Sequence, residues 1–267
     1  MVATTAALTF TVYTGDKPVS GSDESGGRIT HHKGSQDVVD VSIGNGRDLG
    51  ETSLDRAGFR LVSSPSAVDD FYDDETLRRV YYPEIESLIA AQSGATRVVV
   101  FDHTLRHGDQ VEQTQRHLRE PVRIVHNDYT NWSGPQRVRD LYPHDADRML
   151  AGRMAIIQAW RPTAGPVFRD PLAICDARSL TPSDLIAAER RHAKRVGEIY
   201  HVACNPAQRW FYFPHMTSDE VMIFKCYDSL RDGRARFTAH GSFEDPSTPP
   251  SAPPRESIEI RTFAFFD

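Results

Sequence analysis

Along most of the chain, apolar residues alternate with polar ones or fall in short runs closed by Gly, Pro, Asn or Asp, which is the pattern of strands rather than helices. The segments TRVVVFDH, VRIVHNDY, MAIIQAWRP, PLAICDA, EIYHVAC, RWFYFPH, EVMIFKCYD, RFTAHGSF and SIEIRTFAFF carry it, and so does the N-terminal MVATTAALTFTVYTG. Their aromatic content and Gly/Pro punctuation predict an antiparallel sandwich. Two stretches break the pattern. From Val68 to Ala95, acidic residues precede apolar positions three and four apart, which predicts a helix interrupted at Pro83 and closed near Gly94. A second helix is expected from about Thr181 or Pro182 through DLIAAERRHAKRVGEIY, its charges forming a solvated face. The segment Lys17–Asn45, rich in Gly, Ser and charge, is expected to be a long arm or loop, mobile in part and able to fold over a cavity mouth. His31 and His32 within it read as solvated side chains rather than ligands.

Length adds a domain expectation: sandwiches and barrels of 267 residues commonly surround one core, so a single domain over residues 1–267 is predicted. No apolar run approaches the ~20 residues of a membrane span. The N-terminus has no basic leading segment, which predicts a cytoplasmic protein without a secretory signal. A net charge of −6 and the lack of a Lys/Arg run oppose nucleic-acid binding. Cys175, Cys204 and Cys226 are too widely spaced for a zinc site and read as core thiols. Phosphate-binding glycine loops and the nucleophile elbow of serine hydrolases are absent from the sequence.

The candidate chemistry lies in VRIVHNDY. Residues i and i+2 of an extended chain project to the same side, so His126 and Asp128 can meet one metal ion. A second imidazole would complete a facial triad of two histidines and a carboxylate, leaving positions free for a co-substrate and O2. His240, at the end of ARFTAHGSF, is the first choice and His215 the rival. After His240 and a short loop come Arg255 and Ser257, two apart at the start of the last strand. A planar guanidinium with a neighbouring hydroxyl suits the distal carboxylate of 2-oxoglutarate. The order HxD, late His and RxS therefore points to iron(II), 2-oxoglutarate and O2 acting on a small molecule.

Longer blocks carry a resemblance. LDRAGFRLV, YYPEIESLIAAQSGATRVVVFDHTLR, VHNDYT, AWRPTAGPVFRDPLAICDA, RWFYFPHMTSDEVMIFKCYDS and HGSFEDP followed by RESIEIR resemble the fungal hydroxylase/desaturase family of 2-oxoglutarate oxygenase-like proteins, related to gibberellin desaturase-like sequences of natural-product pathways. The resemblance runs from about residue 50 onward. It implies a double-stranded β-helix (jelly-roll, cupin-like) core with flanking helices. It also implies iron ligands His126, Asp128 and His240, a 2-oxoglutarate anchor at Arg255 with Ser257, and Arg161 as a further pocket residue.

Tyr129, Trp132, Phe211 and Tyr212 stand between pocket and core, and Lys225, Asp228 and Ser229 between pocket and polar network. Asp128 fills the position that a halogenating enzyme leaves to chloride, which disfavours halogenation. Hydroxylation, desaturation, epoxidation and ring closure stay open. So do a cupin-like metal enzyme without 2-oxoglutarate, a non-catalytic sandwich that binds a ligand, and the oligomeric state, a homodimer included.

Overall fold

The computed structural model describes residues 3–22, 28–32, 34–192 and 195–267. Its strands are β1 (Thr4–Val12), β2 (Val19–Ser22), β3 (Arg28–His32), β4 (Ser35–Asn45), β5 (Phe59–Ser63), β6 (Arg97–His107), β7 (His126–Asn127), β8 (Arg153–Ala164), β9 (Leu172–Cys175), β10 (Leu185–His192), β11 (Arg195–Val202), β12 (Trp210–Tyr212), β13 (Glu220–Asp228), β14 (His240–Ser242) and β15 (Glu256–Phe266). The larger sheet runs β1-β4-β12-β9-β14-β7-β11-β10-β2-β3, and the smaller β5-β13-β8-β15-β6. The larger sheet curls, so that Thr9 of β1 also bridges Ile124 beside β7. Two curled sheets facing each other give the double-stranded β-helix core, with helices added outside.

The period of two assigns each face. On β8 the even positions Met154, Ile156 and Trp160 join Phe224, Phe263 and Phe265 between the sheets. The odd positions Ala155, Ile157 and Ala159 turn outward with Ile258 and Ile260. That outer face is covered by one helical stretch: α1 (Asp74–Thr76), a π turn at Leu77–Tyr81 and α2 (Tyr82–Ser93), which bury Leu77, Ile85 and Ile89. Asp73 caps its start, accepting from the Glu75 amide, and Gly94 ends it in the left-handed region at φ 74°. Pro83 sits in the first turn of α2, where its missing N–H does no harm, so the predicted interruption is a π turn upstream rather than a break. Among the described residues, three short α-helices complete the set: α3 (Gln110–Arg116), α4 (Ser133–Leu141) and α5 (Ala146–Met149). Among the described residues, no helix is long and apolar enough to cross a membrane.

Every segment read as strand contains one. Two other readings are corrected. The helix expected after Thr181 is only a 3-10 turn at Pro182–Asp184, followed by the β10–β11 hairpin. Helix-favouring Ala, Glu and Arg there are overruled by pairing on both flanks, with β2 against β10 and β7 against β11. The expected arm over Lys17–Asn45 is built largely of strands, because β4 pairs with all of β1 and β2 pairs with β3 and β10. Residues 23–27 and 33 of that arm, and the side chains of His31 and His32, lie outside the described residues.

Candidate active site

The two-residue β7 is pinned in the larger sheet from both sides, with His126 in register with His201 of β11 and with His240 of β14. Asn127 points the other way and is consumed locally. Its amide donates to the carbonyls of Tyr129 (2.7 Å) and Cys226 (2.9 Å), and its Oδ1 accepts from the Thr238 amide (3.0 Å). That anchorage leaves His126 and Asp128 facing the interior, as the HxD spacing predicted. Gly58 helps to set β14 in place: at φ 86°, any Cβ there would stand 2.4 Å from Thr238 Oγ1.

One ligand atom each from His126, Asp128 and His240 lies within 4.8 Å of the others, and His126 Nε2 is 3.6 Å from Asp128 Oδ1. Both histidines donate through Nδ1 to a carbonyl two residues back, Ile124 at 2.7 Å and Thr238 at 3.0 Å. A carbonyl only accepts, so Nδ1 carries the proton and each Nε2 lone pair points inward. Burial, together with the neighbouring His240, pushes the His126 imidazole down to about 3, which keeps it neutral. Burial alone would raise the Asp128 carboxyl. Arg261 above all, with the Gln158 amide, outweighs it and holds the group ionised, well below the usual carboxylate range.

Beside the triad lies a narrow cavity of about 20 Å³, lined by His126, His240, Trp160, Arg255, Arg106 and Glu259 among others. Arg255 is buried, donates from Nη1 to the Asp170 carbonyl and lies 5.5 Å from the centre of the Trp160 ring. Burial, reinforced by Arg106, pushes its guanidinium down to about 9, so it remains a cation at neutral pH. Among the described residues, four buried polar atoms in this region have no hydrogen-bond partner: His240 Nε2, Arg255 Nε, Ser257 Oγ and Gln158 Oε1. Such atoms cost roughly 1–3 kcal/mol each when left unpaired, so their convergence fits a site completed by a bound metal and an anionic co-substrate.

Of the remaining sequence candidates, all but Tyr129, which follows Asp128 and meets Phe101, fall away from this centre. Arg161 is a correction: it projects to the outer face of β8, opposite Trp160. There it donates to the Tyr81 hydroxyl (2.9 Å) and to the carbonyls of Ser218 and Ser64 (both 2.6 Å), which leaves it no role in the cavity. His215 is exposed, in the left-handed region at φ 52°, with its ring against Phe168. Lys225 and Asp228 form a buried ion pair of 2.8 Å that continues to Asp55 and Arg153, and Ser229 accepts from the Met154 amide; this is a polar network, not a pocket. Tyr129 and Phe211 pack in the inner cluster, Tyr212 packs on the other face, and Trp132 is half exposed. Cys175 and Cys226 are core thiols, whereas Cys204 is exposed.

Sequence reasoning missed Gln158, Glu259 and Arg106, and assigned Arg261 no role at the metal. Gln158 Nε2 donates to Asp128 Oδ2, and Arg261 Nε stands 3.9 Å from the same oxygen. Arg261 also pairs with Glu259, Asp102 (3.2 Å) and the Thr104 hydroxyl (2.9 Å), while Arg106 Nε lies 3.6 Å from Glu259. A signal was present: Arg255, Ser257, Glu259 and Arg261 alternate with Ile258 and Ile260, so the polar side of this strand had to face something other than apolar core.

Residues 8–265 match a family described as "Oxidoreductase/YMDC permease-like domain". Hydroxylase/desaturase efuI of Hormonema carpetanum is 35% identical over 240 residues, which cover 82% of this chain and 80% of that protein. The Fe(II)/2-oxoglutarate-dependent dioxygenase nvfI of Aspergillus novofumigatus is 32% identical over 220 residues, 79% of this chain and 77% of that one. The solved structure of the iron and alpha-ketoglutarate-dependent endoperoxidase NvfI superposes with a TM-score of 0.85 at 26% identity, covering 99% of this chain and 98% of that one.

Proposed function

This chain belongs to the hydroxylase/desaturase family of iron(II)- and 2-oxoglutarate-dependent oxygenases, and from that premise we propose that its His126–Asp128–His240 cluster binds the iron at which a small natural-product or amino-acid-derived molecule is oxidised. The enzyme is an oxidoreductase that consumes O2 and 2-oxoglutarate and forms succinate and CO2. We further propose that residues 1–267 act as one oxygenase domain.

The observation that carries the site assignment is the convergence of His240 Nε2, Arg255 Nε and Ser257 Oγ, all buried and all without a partner. Iron held by His126, Asp128 and His240 would supply the oxidative chemistry with O2. The chain does the rest. His126 and His240 present Nε2 because their Nδ1 protons are committed to backbone carbonyls. Gln158 and Arg261 fix the Asp128 carboxylate. Arg255, supported by Ser257, takes the distal carboxylate of 2-oxoglutarate, with Trp160 as the wall beneath it. Deep burial excludes water from the reacting groups. Asp128 leaves no ligand position for chloride, which favours oxygenation, desaturation or ring closure over halogenation.

The test is anaerobic loading with iron(II), titration with 2-oxoglutarate, then exposure to O2 with succinate measured. Succinate that depends on both iron and 2-oxoglutarate is the expected result. Iron binding without 2-oxoglutarate consumption would favour a cupin-like enzyme using the same triad, and absence of iron binding would favour a ligand-binding scaffold.

A further inference from the structure

Beyond the metal, the inner face ends in aromatic rings with cations over them. Phe101 stacks on Phe263 with centroids 4.1 Å apart and meets Tyr129, the residue after Asp128, edge-on at 6.3 Å. Arg137 of α4 holds its guanidinium 5.6 Å from the Phe101 ring centre, and its Nε is buried without a hydrogen-bond partner. Arg195 begins β11, the strand against which α4 packs, and is partly buried. Among the described residues, neither arginine has a carboxylate within ion-pair distance. The nearby acids are engaged: Asp140 accepts from the Gln136 amide at 2.7 Å, and Asp102 pairs with Arg261 at 3.2 Å. Asp128 is the most open of the three triad side chains, at 16% exposure against 9% for His126, and the next residue, Tyr129, joins it to this aromatic and cationic side.

We propose that Arg137 and Arg195 bind a carboxylate on the substrate to be oxidised, while Phe101 and Tyr129 take its apolar body beside Asp128. The proposal rests on the oxygenase reading above and names the substrate class for that site. Two guanidinium groups without counter-ions repel each other, and a planar carboxylate offsets this through charge-assisted, two-point hydrogen bonds. Burial, with the charge of Arg137 beside it, also pushes the Arg195 guanidinium downward, as expected for a cation waiting for an anion. This carboxylate is not that of 2-oxoglutarate. Arg255 and Phe263 are eight residues apart around β15, about 26 Å of extended strand, so one small dianion cannot serve both ends.

The experiment uses the cobalt(II)-loaded enzyme saturated with 2-oxoglutarate, so that Arg255 is occupied before any probe is added. The probes are 2-naphthoate and its neutral counterpart 2-naphthamide, with affinities read from paramagnetic relaxation of the probe protons. Wild type is expected to prefer the anion by about tenfold or more, and Arg137→Gln or Arg195→Gln to reduce that preference below about threefold, with 2-oxoglutarate affinity unchanged. Because Arg137 lies in a packed helix, the Arg195 variant on the strand keeps the test open if the other fails to fold. Equal binding of the two probes to wild type, a preference that survives both substitutions, or displacement of 2-oxoglutarate by naphthoate would each overturn the proposal. Failure of wild type to give a cobalt- and 2-oxoglutarate-dependent absorption change would overturn the oxygenase reading itself, and is seen before any probe is added.

Discussion

Gln158, in the middle of β8, donates its side-chain amide to Asp128 Oδ2 across the space between the two sheets. The bond ties the only carboxylate of the triad to the opposite layer of the fold, so the metal site depends on how the sheets are spaced. Replacing Gln158 with Met keeps the volume and removes the donor. Metal affinity is expected to fall by about 10- to 100-fold, the usual cost of losing a partner behind a ligand. Cobalt(II) titration reads this directly, and an unchanged dissociation constant would leave Arg261 as the sole support of Asp128.

The ligand assignment is tested by substitution at two of its ligands and at the rival histidine. His240→Ala and Asp128→Ala are expected to abolish stoichiometric iron binding, while His215→Ala leaves it intact because that ring packs against Phe168 on the surface. Metal content after gel filtration separates the cases; iron loss in the His215 variant alone would move the site.

Arg255 and Arg161 are two buried arginines with opposite expectations. Arg255→Ala should weaken 2-oxoglutarate binding by at least about tenfold with iron still bound, since a charge-assisted pair of bonds worth about 2–5 kcal/mol is lost when one partner is truncated. Arg161→Met should leave that affinity unchanged. It should instead cost on the order of 3 kcal/mol of folding stability, because the carbonyls of Ser64 and Ser218 lose their charged donor. Exchange of these two phenotypes would reverse the roles.

How far the sequence could lead is visible in these arginines. Arg161 lies in, and Arg255 immediately before, a strand that alternation located, and the period of two put Trp160 and Arg161 on opposite faces, but which face turned inward depended on where the helical stretch 74–93 docks. Likewise HxD was legible because both residues belong to one local extended segment. Gln158 and Arg261 were not, since they meet Asp128 only after strands far apart in sequence are brought together. β10 and the start of β11 escaped notice for a related reason: their residues favour helix locally, and the pairing that overrules them comes from β2 and β7.

Acid should destabilise the metal-free protein earlier than its carboxylates alone would require. His201, buried against the Thr11 hydroxyl, is pushed down to about 4, chiefly by burial, and His126 to about 3. Both are neutral when folded and protonate near 6.5 when unfolded, so the unfolded state binds the extra protons. Their stabilisation is complete above about pH 6.5 and is lost progressively as pH falls toward the folded values, at up to about 1.4 kcal/mol per pH unit for each. Urea midpoints between pH 7 and 4.5 should fall accordingly, and His201→Gln should flatten the slope by one proton. An unaltered slope would mean that His201 protonates alike in both states.

Along its inner face, β15 changes character partway: Ser257, Glu259 and Arg261, with Arg255 just before the strand, line the polar half, and Phe263 and Phe265 the aromatic half. For directed evolution, this makes one strand a natural seam. A combinatorial library confined to Phe101, Phe263 and Phe265 explores new acceptor molecules while the catalytic half stays untouched. Conversely, a single insertion within residues 256–261 rotates every later side chain to the wrong face, so recombination breakpoints belong in the 243–254 connection before the strand, not inside it.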